Sequence, residues 1–152
     1  MSERDGRPRI VAGVDGSPAS LAALQWAVRQ AAATGSTVQA VIAWQYPSVI
    51  GGYGWAPVAL LESSACAEIA QKTLAGAIAD VDFAGRDVPV ISLVREGNAA
   101  QVLIDAAADA DLLVVGSRGH GGFAGALLGS VSQHCVHHAP CPVAVIRSAA
   151  KA

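Results

Sequence analysis

The sequence predicts a single α/β domain built on an open, doubly wound, Rossmann-like parallel sheet of five strands. Short apolar runs alternate with segments of helical period, and capping residues and glycines separate them. Of the 152 residues, 53% are hydrophobic and 14% are charged, which excludes a disordered chain. Elements that alternate in this way form parallel sheets with right-handed crossovers and helices on both faces. We expect one domain over residues 1–152, with an ordered core at about 9–148.

The first strand and helix are marked by clear local signals. Residues 10–14 are apolar and end at the carboxylate of Asp15, which is typical of a short buried strand. Ser17 and Pro18 then suit the N-cap and the first helical position, and Gly35 suits the helix end.

The next segments predict a strand over 37–44, a loop over 46–57 and a helix over about 58–79. The loop contains three glycines, two prolines and three aromatic residues. The inward face of this second helix is expected to carry Leu61, Ala65, Ile69 and Lys72 or Thr73.

The second half of the chain continues the alternation. Pro89 lacks a backbone N–H, so the strand that contains it is expected at a sheet edge. The turn Gly97-Asn98 should lead into a helix whose Val102, Leu103 and Ala106 face inward. The remaining predicted elements are strand 88–94, helix 99–108, strand 111–116, a glycine-rich loop 117–128, helix 129–138 and strand 143–147.

The glycine-rich loop is the most informative part of the sequence. Residues 116–130 contain six glycines, which let backbone N–H groups approach a ligand closely. The following helix offers its N-terminal N–H groups and dipole to an anion, with Arg118, Ser130 and Ser132 as further donors. This combination favours a polyphosphate, and the alternative is a flexible surface loop with an ordinary serine cap.

Two familiar nucleotide signatures are absent. No lysine follows the glycines as G-x-x-x-x-G-K-[ST] requires, and G-x-G-x-x-G does not occur after the first strand. The sequence therefore predicts a different phosphate-binding arrangement.

The spacing Gly116-x2-Gly119-x9-Gly129-Ser130 resembles the pattern G-2x-G-9x-G-[S/T] of the ATP-binding branch of the universal stress protein family. VAGVDGS at 11–17 resembles the first strand and turn of that family, and CPVAV at 141–145 resembles its closing strand. The resemblance spans about residues 10–147. One departure is Gly97-Asn98-Ala99, where relatives often have glycine-x-proline.

The resemblance implies the adenine nucleotide alpha hydrolase-like fold, with ATP as the ligand, with or without Mg²⁺. Asp15 suits a ribose hydroxyl or an adenine amino group because a carboxylate would repel phosphate, and it also suits a cap of the turn into Ser17. The cofactor-binding residues that the resemblance implies are Gly13, Val14, Asp15, Ala43, Val115, Gly116, Arg118, Gly119, Gly129, Ser130, Val131 and Ser132.

Histidines and cysteines cluster near the end of the chain. His134 and His138 lie four residues apart, which places them on one helix face as metal ligands would be. No second ligand pair with suitable spacing exists, however, and histidines at a helix C-terminus interact with the dipole and the free carbonyls. We therefore expect no metal site, and we expect Cys135 and Cys141 to be reduced and buried.

The sequence leaves two interpretations open for several residues. His120 is either a solvated loop residue or a donor in phosphoryl chemistry. The aromatic residues Trp44, Tyr46, Tyr53 and Trp55 either form a lid near adenine or cover a hydrophobic edge.

Charge and targeting signals restrict the partners. Ten Lys and Arg against twelve Asp and Glu give a net charge of −2, which provides no basic field for nucleic acid or membrane. The polar N-terminal residues lack the apolar core of a signal peptide, so we expect a cytoplasmic protein.

The leading hypothesis is a stress-response regulatory module that binds ATP and has no catalytic residues. The alternatives are a slow ATP hydrolase or phosphoryl-transfer protein that uses Arg118 and His120, and an interaction protein with a vestigial nucleotide site. The resemblance also implies a homodimer through the last strand, from Val143 to Arg147.

Overall fold

The computed structural model describes residues 6–45, 63–118 and 128–148. Its elements alternate between strand and helix, and a short 3-10 turn, Ala107–Asp109, follows the third helix. The strands are β1 Arg9–Gly13, β2 Thr37–Trp44, β3 Val90–Glu96, β4 Leu112–Gly116 and β5 Val143–Ile146; the helices are α1 Pro18–Thr34, α2 Ser63–Ala79, α3 Ala99–Ala106 and α4 Ser130–His138.

The five strands form one parallel sheet in the order β3-β2-β1-β4-β5. The chain builds outward from β1 to β3, then returns to the other side of β1 and builds outward again to β5. Ile10 of β1 lies opposite Val38 of β2 and Leu112 of β4, so β1 is paired on both sides. The predicted α/β class with a doubly wound five-stranded sheet is confirmed, and strand order reverses between β1 and β4.

Two apolar layers cover the two faces of the sheet. On one face, Ile10 and Val38 pack against Leu24 of α1 and Leu74 of α2. On the other face, the buried residues include Val11, Val41, Leu103, Leu113 and Cys135, of which Leu103 belongs to α3 and Cys135 to α4. Neighbouring residues of β1 therefore enter opposite layers, as expected for a strand covered on both sides.

The predicted helix ends are present. The Ser17 hydroxyl accepts a hydrogen bond from the Ser20 N–H at 3.2 Å, and Gly35 ends α1 with φ +70°. At the start of α3, the Asn98 side chain accepts a hydrogen bond from the Gln101 N–H at 3.1 Å. These caps satisfy backbone groups that a helix terminus leaves without intrahelical partners.

The predicted inward face of α2 is wrong at Ile69 and Lys72, whereas Ala65 and Thr73 are half-buried. Ile69 is 59% exposed and Lys72 is exposed, whereas Ala70 and Leu74 are buried. The helix is rich in alanine, so its sequence carries little contrast between the two faces, and the one large apolar residue in its first half points to solvent. Residues 58–62, the start of the predicted helix, lie outside the described residues.

Strand β3 begins at Val90 rather than at the predicted residue 88. Pro89 precedes it, and its carbonyl accepts a hydrogen bond from the Val38 N–H at 2.9 Å. Proline has no N–H to donate, so it fits at the start of the strand. The predicted edge position of this strand is confirmed.

Within the described residues, no helix is both long enough and apolar enough to span a membrane.

Candidate nucleotide-binding site

The carboxyl ends of β1 and β4 lie side by side where strand order reverses. In open parallel sheets, ligands bind in the crevice at this position. Asp15 follows β1, and Ser117 and Arg118 follow β4, so the topology brings together two of the predicted groups of site residues. These two groups are about a hundred residues apart in the sequence.

Asp15 is exposed at the mouth of this crevice and is held by its own turn. Its Oδ1 accepts a hydrogen bond from the Ser17 N–H at 2.8 Å, and its N–H donates to the Ser20 hydroxyl at 3.2 Å. The preceding N–H of Val14 donates to the Val41 carbonyl at 2.8 Å. The predicted capping role of Asp15 is therefore confirmed, and the residue remains exposed.

The two ends of the glycine-rich loop are joined by hydrogen bonds. The Gly129 N–H donates to the Ser117 carbonyl at 2.7 Å, and the Ser117 N–H donates to the Ile146 carbonyl at 2.8 Å. The Ser132 hydroxyl lies 3.2 Å from the Ser117 carbonyl and 3.0 Å from the Gly129 carbonyl, as a donor to both. The start of α4 is consequently fixed against the end of β4.

These contacts give the two serines of α4, Ser130 and Ser132, different roles. Ser132 is buried, and its single hydroxyl proton is used within the loop junction. Ser130 is exposed at the first turn of α4. The N-cap Gly129 has no side chain with which to cap the first-turn N–H groups, so these groups and the Ser130 hydroxyl are the donors that α4 presents to a ligand.

A second junction links the two loops that flank the crevice. The Ser17 hydroxyl, besides capping α1, makes a long contact of 3.5 Å with the Arg118 carbonyl. Sequence reasoning assigned Ser17 only to the cap. The signal that would have found this contact is the placement of Ser17 and Arg118 a few residues beyond β1 and β4, which are neighbours in the sheet.

Two predicted site glycines have reasons in packing. A Cβ added at Gly116 would lie 2.7 Å from the backbone carbon and 2.8 Å from the backbone oxygen of Ala19, so glycine allows α1 to approach β4. A Cβ at Gly13 would lie 2.8 Å from a terminal methyl group of Leu103 on α3. Both glycines lie at the carboxyl ends of their strands, where the lack of a side chain lets a helix approach the sheet.

The remaining predicted site residues differ in whether their side chains or only their backbones can reach a ligand. The side chains of Val14 and Val115 are buried in the two apolar layers, so only their backbones can reach a ligand. Ala43 and Val131 are half-buried. Gly119 lies outside the described residues, as do His120, Tyr46, Tyr53 and Trp55, whereas Trp44 packs against the α1/α2 layer.

The cysteines near the end of the chain are poorly suited to metal binding or redox chemistry. Cys135 is fully buried, and burial raises the pKa of its thiol to about 11. Burial and the charge of Asp111 raise the pKa of the Cys141 thiol, while a hydrogen bond with the Leu113 backbone lowers it. Among residues 6–45, 63–118 and 128–148, no group of three or more His, Cys, Asp or Glu side chains is arranged to hold a metal ion.

Comparison with known sequences identifies relatives over nearly the whole chain. A model of the universal stress protein family matches residues 6–147. A universal stress protein of Mycobacterium tuberculosis is 38% identical over 138 residues, which cover 91% of this chain and 45% of the relative. A second one from the same species is 34% identical over 139 residues, or 91% of this chain and 48% of the relative. The chain thus spans about half the length of the curated relatives it matches.

Solved structures give the same picture of the fold. The universal stress protein UspA of Lactobacillus plantarum superposes with a TM-score of 0.77 at 24% identity, covering 94% of this chain and 100% of that one. A universal stress protein in complex with cAMP is 27% identical, with a TM-score of 0.59 and coverage of 94% and 98%. One from Archaeoglobus fulgidus in complex with dAMP has a TM-score of 0.52 at 21% identity, with coverage of 92% and 97%.

Proposed function

Since the chain belongs to the universal stress protein family, we propose that it binds an adenine nucleotide, with ATP as the first candidate, and acts as a cytoplasmic regulatory module in a stress response. The observation that carries this proposal is the junction of Gly129 with Ser117, which sets the N-terminus of α4 against the end of β4, the strand that pairs with β1. Related proteins solved in complex with cAMP and dAMP support an adenine nucleotide as the ligand class.

Charge assigns the two ends of the nucleotide to the two sides of the crevice. The exposed carboxylate of Asp15 suits a ribose hydroxyl or the adenine amino group, because it would repel a phosphate. The N–H groups at the start of α4 and the Ser130 hydroxyl suit phosphate oxygens, since the helix dipole favours negative charge there. The exposed Arg118 adds the cation on that side.

The nucleoside would lie on small or backbone surfaces at the strand ends. Ala43 is half-buried on β2, Val14 directly follows β1, and Val115 is the last residue but one of β4. Residues 116–132 contain no Asp or Glu, so Mg²⁺ that accompanied ATP would be held there through phosphate oxygens rather than by a carboxylate of this loop.

Slow ATP hydrolysis or phosphoryl transfer is the alternative. Catalysis of that kind needs charge stabilisation and a group that orients the nucleophile. Residues 116–132 supply Arg118 and His120 but no carboxylate that could act as a base. We therefore propose binding without rapid turnover. Phosphate release that persists through purification and disappears in Arg118→Ala would establish the alternative instead.

The direct experiment identifies small molecules released from the purified chain by mass spectrometry, followed by calorimetric titration with ATP, ADP and cAMP. We expect Gly129→Glu to weaken ATP binding at least about a hundredfold, or roughly 2.7 kcal/mol, because a carboxylate would then face the phosphates. Gly129 has φ −71°, which any residue can adopt, so the substitution should leave the backbone in place.

The matched control is Gly76→Glu, the same change on α2, where a Cβ has nothing within 4 Å. This variant should bind ATP as the wild type does. A wild type that binds no adenine nucleotide, or a Gly129→Glu variant that binds as well as Gly76→Glu, would overturn the proposal.

We further propose a homodimer through the last strand. β5 lies at a sheet edge, and its residues Val143–Ile146 are apolar and only half-buried in the single chain. The Leu113 N–H donates to the Pro142 carbonyl and the Ser117 N–H donates to the Ile146 carbonyl, so even-numbered carbonyls face β4 and the Val145 N–H points outward. An outward row of such groups on an apolar edge is suited to pairing with a second copy.

Light scattering at micromolar concentration tests this assembly. The wild type should be a dimer. Val145→Pro should be a monomer because proline lacks the outward N–H, and this N–H makes no bond to β4 that the substitution would also remove. Val145→Thr, which keeps the N–H and the β-branched shape, should remain a dimer. A monomeric wild type would contradict the proposal.

A further inference from the structure

We propose that His134 and His138 form a two-ligand site for a late divalent transition metal, Cu²⁺ or Ni²⁺, at the C-terminal end of α4. Their ring centres lie 4.5 Å apart with a tilt of 42° between the ring planes. Both side chains are exposed, and neither belongs to the crevice at the other end of α4. The site is thus separate from the proposed nucleotide function.

The ring separation fits chelation of one ion by both imidazoles. Residues four apart lie over one another on a helix face, so both rings can turn toward the same point. If each metal–nitrogen bond is about 2.1 Å long and the two bonds meet at a right angle, the ring centres lie about 4.5 Å apart. Right-angle positions occur in the square-planar and tetragonal geometries that Cu²⁺ and Ni²⁺ adopt with nitrogen ligands.

The electrostatics of the helix end favour a cation there. Carbonyl groups of the last turn give the C-terminus of a helix a partial negative charge, which stabilises positive charge nearby. This effect is the opposite of the one proposed for phosphate at Gly129, so the two ends of α4 suit ions of opposite sign.

The two neighbouring side chains that could bind a metal, Cys135 and His137, are not placed to join this site. Cys135 is fully buried in the layer beneath the helix, so its thiol cannot reach a metal ion on the exposed face of α4. The His137 ring centre is 6.3 Å from that of His138, but His137 follows a different line along the helix surface. In the described ranges, no group of three or more metal-ligating side chains is present, so the remaining coordination positions are left to water or to a second molecule.

The test is a calorimetric titration of the metal-free full chain with Cu²⁺, Ni²⁺ and Zn²⁺. We expect one equivalent of Cu²⁺ to bind, more tightly than Ni²⁺ or Zn²⁺. His134→Gln and His138→Gln should each weaken Cu²⁺ binding by at least about tenfold, since even the loss of an outer-shell partner costs that much at many metal sites. Electron paramagnetic resonance of the Cu²⁺ form should show one coordinated nitrogen fewer in each variant.

His137→Gln and His120→Gln are the matched controls, and both should bind Cu²⁺ as the wild type does. The three positions on α4 can be compared at equal fold content by circular dichroism, because glutamine at an exposed helical position is well tolerated. Equal affinity in the wild type and His134→Gln, or an equal loss in His137→Gln, would overturn the proposal. Gly129→Glu should keep full Cu²⁺ affinity, which separates this result from failure of the nucleotide proposal.

Discussion

The two ends of the sheet differ in the helix termini they collect. The carboxyl end holds the N-termini of α1, α3 and α4, which begin after Ser17, Asn98 and Gly129. The amino end holds helix C-termini, including those that finish at Gly35 and Ala139. Because every crossover starts a helix where a strand has ended, a parallel sheet sorts positive helix ends to one side and negative ends to the other.

The polar contacts at the two ends also serve different purposes. At the amino end, the Arg9 N–H donates to the Asp111 carboxylate at 2.8 Å, and the Asp111 N–H donates to the Arg9 carbonyl at 2.9 Å, which closes β1 onto β4. At the carboxyl end, the Asp15 carboxylate accepts a bond of the same length, 2.8 Å, from the Ser17 N–H, but this bond lies within a turn at the proposed crevice. Similar hydrogen bonds therefore stabilise the fold at one end and, as we propose, also arrange a ligand site at the other.

The largest expected effect concerns packing at the carboxyl end. Gly116→Ala should lower the free energy of unfolding by about 2 kcal/mol, because its Cβ would meet the Ala19 backbone, which cannot move as a side chain can. Gly76→Ala, in open space on α2, should instead raise it by about 0.5–1 kcal/mol. Urea denaturation of both variants measures the difference. Equal effects would mean that α1 and β4 are not in close contact.

A matched pair of aspartate substitutions tests the division of roles directly. Asp15→Ala and Asp111→Ala each remove a carboxylate that accepts a backbone hydrogen bond, so each should cost about 1 kcal/mol of unfolding free energy. Only Asp15→Ala should also weaken ATP binding, by roughly tenfold or about 1.4 kcal/mol. Calorimetry and urea denaturation on the same samples check both values. A comparable loss of ATP affinity in Asp111→Ala would remove the distinction between the two ends.

Ser17→Ala should affect both stability and binding. It removes the N-cap of α1, at a cost of about 1 kcal/mol, and the contact with the Arg118 carbonyl. We expect ATP affinity to fall by a few-fold. Asn98→Ala provides the control, since it removes the corresponding cap from α3 without a contact between the two loops. Unchanged ATP binding in Ser17→Ala would show that the cap alone matters.

The smallest expected effect is at the amino end and depends on pH. Burial and Asp111 raise the pKa of the Cys141 thiol above 9.0, so its contribution to stability is complete below pH 9 and is lost as pH rises through the folded-state value. Asp111→Ala should lower this pKa and make alkylation of Cys141 at pH 8.5 a few-fold faster, because more thiolate is present. Peptide mass spectrometry measures the rate, with Cys135 as the internal reference. An unchanged rate would exclude the charge effect.

Local signals in the sequence were sufficient for most of the fold. Ser17, Gly35 and Asn98 marked helix ends because capping depends on residues a few positions apart. The apolar runs around Val11 and Leu113 marked strands because both faces of the sheet are covered, and the structure shows that both strands are central. Where such contrast was missing, as in the alanine-rich α2, the buried face was predicted wrongly, and Ile69 proved to be exposed.

The candidate site was predictable as a set of residues but not as a set of roles. Spacing identified Gly116, and the start of the predicted helix identified Ser132. Neither signal indicated that Gly116 allows α1 to approach or that the Ser132 hydroxyl is used within the loop junction. Those roles depend on contacts between distant elements, such as that of Ser17 with Arg118. Likewise, the spacing of His134 and His138 placed them on one face, but the separation of their rings came only from the structure.

The central position of β1 has a consequence for the kinetics of the proposed site. Strands with partners on both sides exchange their amide hydrogens only when much of the domain opens, whereas edge strands and short surface helices open locally at lower free energy. Val14 and Asp15 directly follow β1, while Ser130 begins a helix of only nine residues, most of which are exposed. We therefore expect amide hydrogens on the proposed nucleoside side of the crevice to exchange more slowly than those on the proposed phosphate side.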